Sequence, residues 1–202
     1  SGHCDPITTR DAAPHFPMSI TPQQAMAVYG AAECLYDRTE VEAALNRLAL
    51  DISYVLAEAN PLVITVMQGG LITAGMLLPR LAFPLQVDYL HATRYRGKTS
   101  GAELHWIVRP TQALTDRIVL LVDDIHDEGH TLEAIVEACK AAGARRVYSA
   151  VLVNKQHDRK AAYRADFVGL EVEDRYVFGC GMDYKEYLRN APGIYAVRDD
   201  HA

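Results

Sequence analysis

The stretch Ile118–Thr131, IVLLVDDIHDEGHT, decides the fold. Ile118 to Val122 is a short apolar run rich in β-branched residues, as expected of a strand buried on both faces of a parallel sheet. Leu132, Ile135, Val136 and Cys139 then recur at helical spacing. The loop between them joins the carboxyl end of a strand to the amino end of a helix. Open α/β sheets bind ligands at such a place, and the free amide N–H groups and helix dipole favour a phosphate. Asp123 and Asp124 fall at the strand tip. Carboxylates repel a bare phosphate, yet they accept hydrogen bonds from a sugar diol and help to hold a magnesium ion. Paired strand-end aspartates also serve as plain capping groups. Asp127 shifts the balance: a third carboxylate adds repulsion with no structural gain, so a cationic or hydroxyl-rich ligand is the better account.

The 202 residues, of which 50% are hydrophobic, suffice for one compact α/β domain with a well-buried core. The expected division is a tail over residues 1–17, excluded from the functional reading, and a single domain over 18–202. A formal net charge of -6 gives no electrostatic footprint for nucleic acid. Cys4, Cys34, Cys139 and Cys180 are scattered without a metal-ligand spacing, as reduced thiols of a cytoplasmic protein would be. Nothing approaches the ~20 apolar residues of a membrane-spanning helix. The first residues have neither the basic nor the apolar segment of a secretory signal.

Thr21-Pro22-Gln23-Gln24 predicts a capped helix running to about Glu33. Thr39 and Glu42 repeat the capping box ahead of an apolar stripe of Val41, Leu45, Leu48, Ile52 and Val55. Leu62 to Met67 reads as a buried strand, and Gln68-Gly69-Gly70 turns it into a helix that carries Leu71, Gly75 and Leu78 and ends before Pro84. Residues 85–95 and 103–108 read as strands around a Gly- and Ser-containing loop expected to move. Arg146–Val153 is a further buried strand. The remainder is predicted as short strands and turns around a helix near Tyr184 to Arg189.

The run Val119–Thr131, with Met67-Gln68-Gly69-Gly70, Arg94-Tyr95, Lys155, Arg175-Tyr176-Val177-Phe178-Gly179 and Gly181-Met182-Asp183-Tyr184 in that order, resembles the hypoxanthine-guanine phosphoribosyltransferases of the type I phosphoribosyltransferase family. The resemblance covers most of the chain from about residue 30 onward. It implies a mainly parallel twisted sheet flanked by helices, with a small C-terminal hood. It also implies transfer of a 5-phosphoribosyl group from phosphoribosyl diphosphate to a 6-oxopurine, namely hypoxanthine, guanine or xanthine. The products are the purine nucleotide (IMP, GMP) and pyrophosphate, a purine-salvage role.

Residue by residue, the resemblance gives Asp123 and Asp124 to the ribose hydroxyls and, with Asp183, to Mg²⁺. Asp127 is the general base, and Glu128, Gly129, His130 and Thr131 surround the 5-phosphate. Gln68 and Gly69 form the pyrophosphate loop, where any non-proline cis bond falls at Met67-Gln68, and Arg189 reaches the pyrophosphate. Lys155 donates to the purine's six-position oxygen, Tyr176 stacks on the base, Val177 offers backbone hydrogen bonds and Arg94-Tyr95 begin a closing lid. Three departures stand out: Gln68 where many members carry Lys, Arg94 where Ser is usual, and Glu128 where Thr is common, whose side chain is expected to point outward. Family members are homodimers or homotetramers. No nucleic-acid or membrane partner is expected.

Two other readings compete. A regulator built on the same cradle would bind nucleotide or RNA without turnover, against which stand the complete set of acids and the acidic balance. A phosphoryl-accepting receiver domain using Asp123 and Asp124 would leave Lys155 and Met182-Asp183-Tyr184 unexplained.

Overall fold

The computed structural model describes residues 20–94 and 104–198, and of Arg94 the backbone alone. The expected tail 1–17, Tyr95 and the lid to Gly101 lie outside the described residues. Two sheets organise the rest. Six strands run in the order β4 (Leu104–Val108), β3 (Gln86–Arg94), β2 (Leu62–Val66), β5 (Ile118–His126), β6 (Arg146–Gln156) and β7 (Phe167–Glu173). All neighbours are parallel except β3 and β4.

The β5 sequence explains its central place. Its side chains alternate between the two faces of the sheet. Leu120 and Val122 join the core beneath α2 (Arg38–Leu56) and α3 (Gly70–Leu77). Val119 and Leu121 join the core beneath α4 (His130–Ala141), with Leu132, Ile135, Val136 and Cys139. All four β5 residues are fully buried, which is why the run has no polar alternation. The chain leaves β2 toward β3 on one side and returns to build β5, β6 and β7 on the other. That reversal puts the crevice between the carboxyl ends of β2 and β5.

The second sheet, β1 (Glu33–Tyr36), β9 (Ile194–Ala196) and β8 (Val177–Phe178), is antiparallel. It is the expected hood, although it is not C-terminal alone: α1 (Pro22–Ala31) and β1 contribute to it. Ala25 and Val28 of α1 pack with Phe178, Tyr184 and Leu188, and Tyr29 meets Phe178 edge-on at 5.9 Å between ring centroids. Val177, Met182 and Ile194 also belong to the core beneath α2, so hood and main sheet share buried surface.

Several local expectations change. The Thr21 and Gln24 capping box forms, but α1 ends at Ala31 and the chain pairs with β9 instead of continuing to Glu33. The second helix is capped by Asp37 and Glu40, two residues ahead of Thr39 and Glu42, because the Asp37 side chain accepts from Glu40 N at 2.9 Å and Glu40 reaches back to Asp37 N. Glu42 instead pairs with Arg38 across one turn. The buried stripe continues to Leu56, leaving Val55 exposed.

No helix forms from Tyr184 to Arg189. Asp183 Oδ2 accepts from Glu186 N at 2.8 Å, closing a turn rather than opening a helix. Tyr184 and Tyr187 exchange backbone hydrogen bonds, with Lys185, Glu186 and Leu188 at positive φ. Among the described residues, no helix is long and apolar enough to cross a membrane.

Candidate active site

The tip of β5 and the β2–α3 loop meet with almost no space between them. A Cβ on Gly69 would overlap the Asp124 carboxylate, and one on Gly70 would lie 2.5 Å from the Val122 carbonyl oxygen. The two glycines thus let a second loop lie on the acidic tip. The peptide bond Met67-Gln68 is cis, at the position expected, and Gln68 is exposed.

Asp124 is 7% exposed, and its Oδ1 accepts from Ile125 N at 2.7 Å. Asp123 Oδ1 accepts from Asp124 N at 2.9 Å. Burial, and for Asp123 the adjacent Asp124 carboxylate, push both carboxyls above their usual range, Asp123 furthest. The Arg189 guanidinium pulls the other way. Two crowded oxygen-donor groups of one sign suit a hard divalent cation or a hydroxyl pair.

Beyond them the loop enters α4 through Gly129, which sits at φ 84° and offers no side-chain cap. Uncapped N–H groups at the start of a 12-residue helix form an anion site. His130 and Thr131 occupy its first two positions. The Glu128 side chain is exposed, as expected, and its carbonyl accepts from Ala161 N at 2.7 Å.

Asp127 lies in a different setting. Its Oδ2 accepts from Lys155 Nζ at 2.7 Å, and its Oδ1 lies 2.7 Å from His157 Nε2. Burial favours the neutral acid, but the hydrogen bonds from Lys155 and then His157, with the charge of Lys155, outweigh it and hold Asp127 below the ordinary carboxylate range. Strand register produces the contact. The β5–β6 pairing ends at Ile125 with Val153 and His126 with Asn154, so the next step along both chains brings Asp127 beside Lys155.

A cavity of about 200 Å³ is lined by Asp124, Asp127, Lys155, Tyr176, Val177 and Asp183, among others. Drug-sized pockets run to roughly 300–1,000 Å³, so this space suits a single flat base. Tyr176, 39% exposed, is braced by the Tyr184 ring at 5.4 Å, and presents a partly open aromatic surface there.

Arg189 lies over the hood loop. It bonds Asp183 Oδ1 at 2.9 Å and the Gly181 carbonyl at 2.6 Å. Asp123, Asp124 and Asp183 do not converge on one point. Among the described residues, the cluster whose three ligand atoms all lie within 4.8 Å of one another is Asp127, His157 and Asp174. His157 is the residue that the sequence reading missed. The available signal was period two: it follows Lys155 by two positions at the end of a strand, which puts both on one side.

A family model described as phosphoribosyl transferase domain matches residues 31–186. The hypoxanthine-guanine phosphoribosyltransferase of Bacillus subtilis (strain 168) is 31% identical over 165 residues, covering 81% of this chain and 92% of that protein. A solved hypoxanthine phosphoribosyltransferase from Staphylococcus aureus has a TM-score of 0.77 at 26% identity, covering 83% of this chain and 92% of that one. A solved hypoxanthine-guanine-xanthine phosphoribosyltransferase has a TM-score of 0.75 at 26% identity, covering 83% and 97% respectively. The matched span takes in the glycine loop, the acidic strand tip, the uncapped helix and the base-sized cavity, so the chain belongs to the phosphoribosyltransferase family, in its hypoxanthine-guanine branch.

Proposed function

We propose that the protein transfers the 5-phosphoribosyl group of phosphoribosyl diphosphate to an imidazole nitrogen of a 6-oxopurine. Hypoxanthine and guanine are the leading acceptors and xanthine a further candidate. The observation that carries this reading is the Lys155–Asp127 pair on the wall of a base-sized cavity. One member donates and the other accepts. A 6-oxopurine offers the complement, a carbonyl oxygen and an imidazole N–H, whereas adenine presents an amino group where Lys155 needs an acceptor.

Asp127 is a weak base while Lys155 holds its Oδ2. When Lys155 turns its donors to the purine oxygen, Oδ2 is freed and its proton affinity rises. Base binding thereby readies the group that takes the imidazole proton. The new bond joins the anomeric carbon to the ring nitrogen as the bond to pyrophosphate breaks. Asp123 and Asp124 accept from the ribose hydroxyls, and the amides opening α4 hold the 5-phosphate. Asp123 with Asp124, and separately Asp183, are the acids that would hold Mg²⁺; bound at either place, it would neutralise the donor's pyrophosphate. Arg189 gives the same group a fixed cation once released from Asp183.

The test is pyrophosphate release by the purified protein with donor and Mg²⁺, offering hypoxanthine, guanine, xanthine, adenine and uracil in parallel, with Mg²⁺ omitted in a matched series. Release dependent on one or more 6-oxopurines is the expected result. Silence with every base despite nucleotide binding would instead mean a regulator on the same cradle.

A further inference from the structure

We propose that His157 is a positioning residue for Asp127: as a neutral imidazole it holds Oδ1 through Nε2–H, so that Oδ2, the oxygen shared with Lys155, faces the purine. The inference rests on the role given to Asp127 above.

The tautomer follows from the partners of the ring. Arg159 N donates to His157 Nδ1 at 3.1 Å. A backbone N–H can only donate, so Nδ1 is an unprotonated acceptor and the ring's hydrogen sits on Nε2. That nitrogen lies 2.7 Å from Asp127 Oδ1. Protonating the ring would set two N–H groups against each other at Nδ1, so the arrangement selects the neutral donor.

The turn that supplies Arg159 N is itself anchored. The Arg159 guanidinium grips both oxygens of Asp174 at 2.8 and 3.0 Å, a forked geometry that fixes orientation as well as distance. The His157 side chain is 4% exposed, so bulk water does not compete for its hydrogen bond. Asp127 is 44% exposed and would otherwise swing between rotamers.

The alternative use of this cluster is a divalent cation bound by Asp127, His157 and Asp174. Lys155 on Asp127 and Arg159 on Asp174 already supply the opposing charge. The groups around Asp127 are Lys155 from β6, His157, Arg159 and Lys160 from the segment after it, Asp174 from the turn after β7, Asp124 from β5 and Glu128 from its own loop. Lys155 and His157 hold different oxygens of the carboxylate, so removing His157 frees Oδ1 and takes away one of its two donors.

Two variants of the full-length protein test the proposal. His157→Phe keeps the ring's bulk and loses the donor; His157→Gln keeps a donor. The expected result for His157→Phe is a fall in kcat of about 10²-fold, the scale of misplacing a reacting group, with the KM for phosphoribosyl diphosphate little changed. The acidic limb of its kcat–pH profile shifts to higher pH, because Asp127 has lost a bond that holds it ionised. His157→Gln restores most of the rate and returns the limb. A folded His157→Phe variant with kcat within about twofold of the parent and an unmoved limb would overturn the proposal. Nitrogen-15 NMR of the parent protein reads the tautomer without turnover: an Nε2–H ring supports the assignment and an Nδ1–H ring refutes it, even if His157→Phe fails to fold or no base proves to be a substrate.

Discussion

Asp123 and Asp124 lie near the carboxyl end of β5 with carboxylates crowded together and Arg189 as their opposing charge, whereas Asp127, just past the strand, is clasped by Lys155 and His157. The same side chain therefore meets two opposite conditions between the end of one strand and the loop that follows it. Burial beside a like charge raises proton affinity in the first pair; donors from β6 and the turn beyond it lower it in Asp127. What a carboxylate does here depends on which element faces it. The pair is crowded by like charge, while both oxygens of Asp127 already have partners.

The sharpest way to break this contrast is Asp127→Asn, which removes the proton acceptor and keeps the shape. Its kcat should fall by roughly 10²-fold or more with little change in donor KM, as measured by steady-state pyrophosphate release. Near-normal turnover would remove Asp127 as the base. Lys155→Met comes next. It should raise the KM for hypoxanthine by about 10-fold or more, leave that for the phosphoribosyl donor little changed, and shrink the discrimination against adenine.

Smaller effects separate the two settings without turnover. Asp127→Ala leaves the nearly buried Lys155 ammonium without its acceptor and should destabilise the ligand-free protein by about 1–3 kcal/mol. Asp123→Asn removes one of two repelling charges and should leave the melting temperature unchanged or slightly raised, because a carboxyl whose proton affinity rises on folding opposes folding at neutral pH. Equal losses in the two variants would erase the distinction. The smallest effect is on acid unfolding. Asp127 has a lowered folded-state pKa, so its stabilisation is present above about pH 4, the ordinary value of an aspartate, and is lost as pH falls through the folded value. Asp127→Asn should flatten that part of the stability curve, measured by urea unfolding at several pH values.

The central strand and its loop were legible because their signals are local. An apolar run buried on both faces, a glycine before a periodic helix and three acids can all be read within fourteen residues of sequence. The β2–α3 loop was legible for the same reason. The contact of Asp127 with Lys155 and His157 was not, since it spans 28 and 30 positions and exists only once β5 and β6 adopt one register. The Met182–Asn190 segment misled for a different reason. Asp183 carries a cap signal, yet its side chain closes a turn onto Glu186, and Arg189 folds back onto Asp183 and the Gly181 carbonyl. The helix signal lost there to turns closed by hydrogen bonds within the same segment, with Lys185, Glu186 and Leu188 at positive φ. β1 was hidden because its pairing partner, β9, lies near the far end of the chain.

The register of β5 on β6 also bears on how such a chain can change over generations. Side chains alternate faces along a strand, so inserting one residue between Ile118 and Asp127 would turn Asp127 away from Lys155 while the apolar core could still repack. The turns beyond Gln156 carry no such constraint on their length as far as that pair is concerned. Drift in this lineage should therefore collect insertions in the connections between strands and leave the strand lengths ahead of Asp127 and Lys155 untouched, because a shift there would preserve a foldable protein and remove its chemistry.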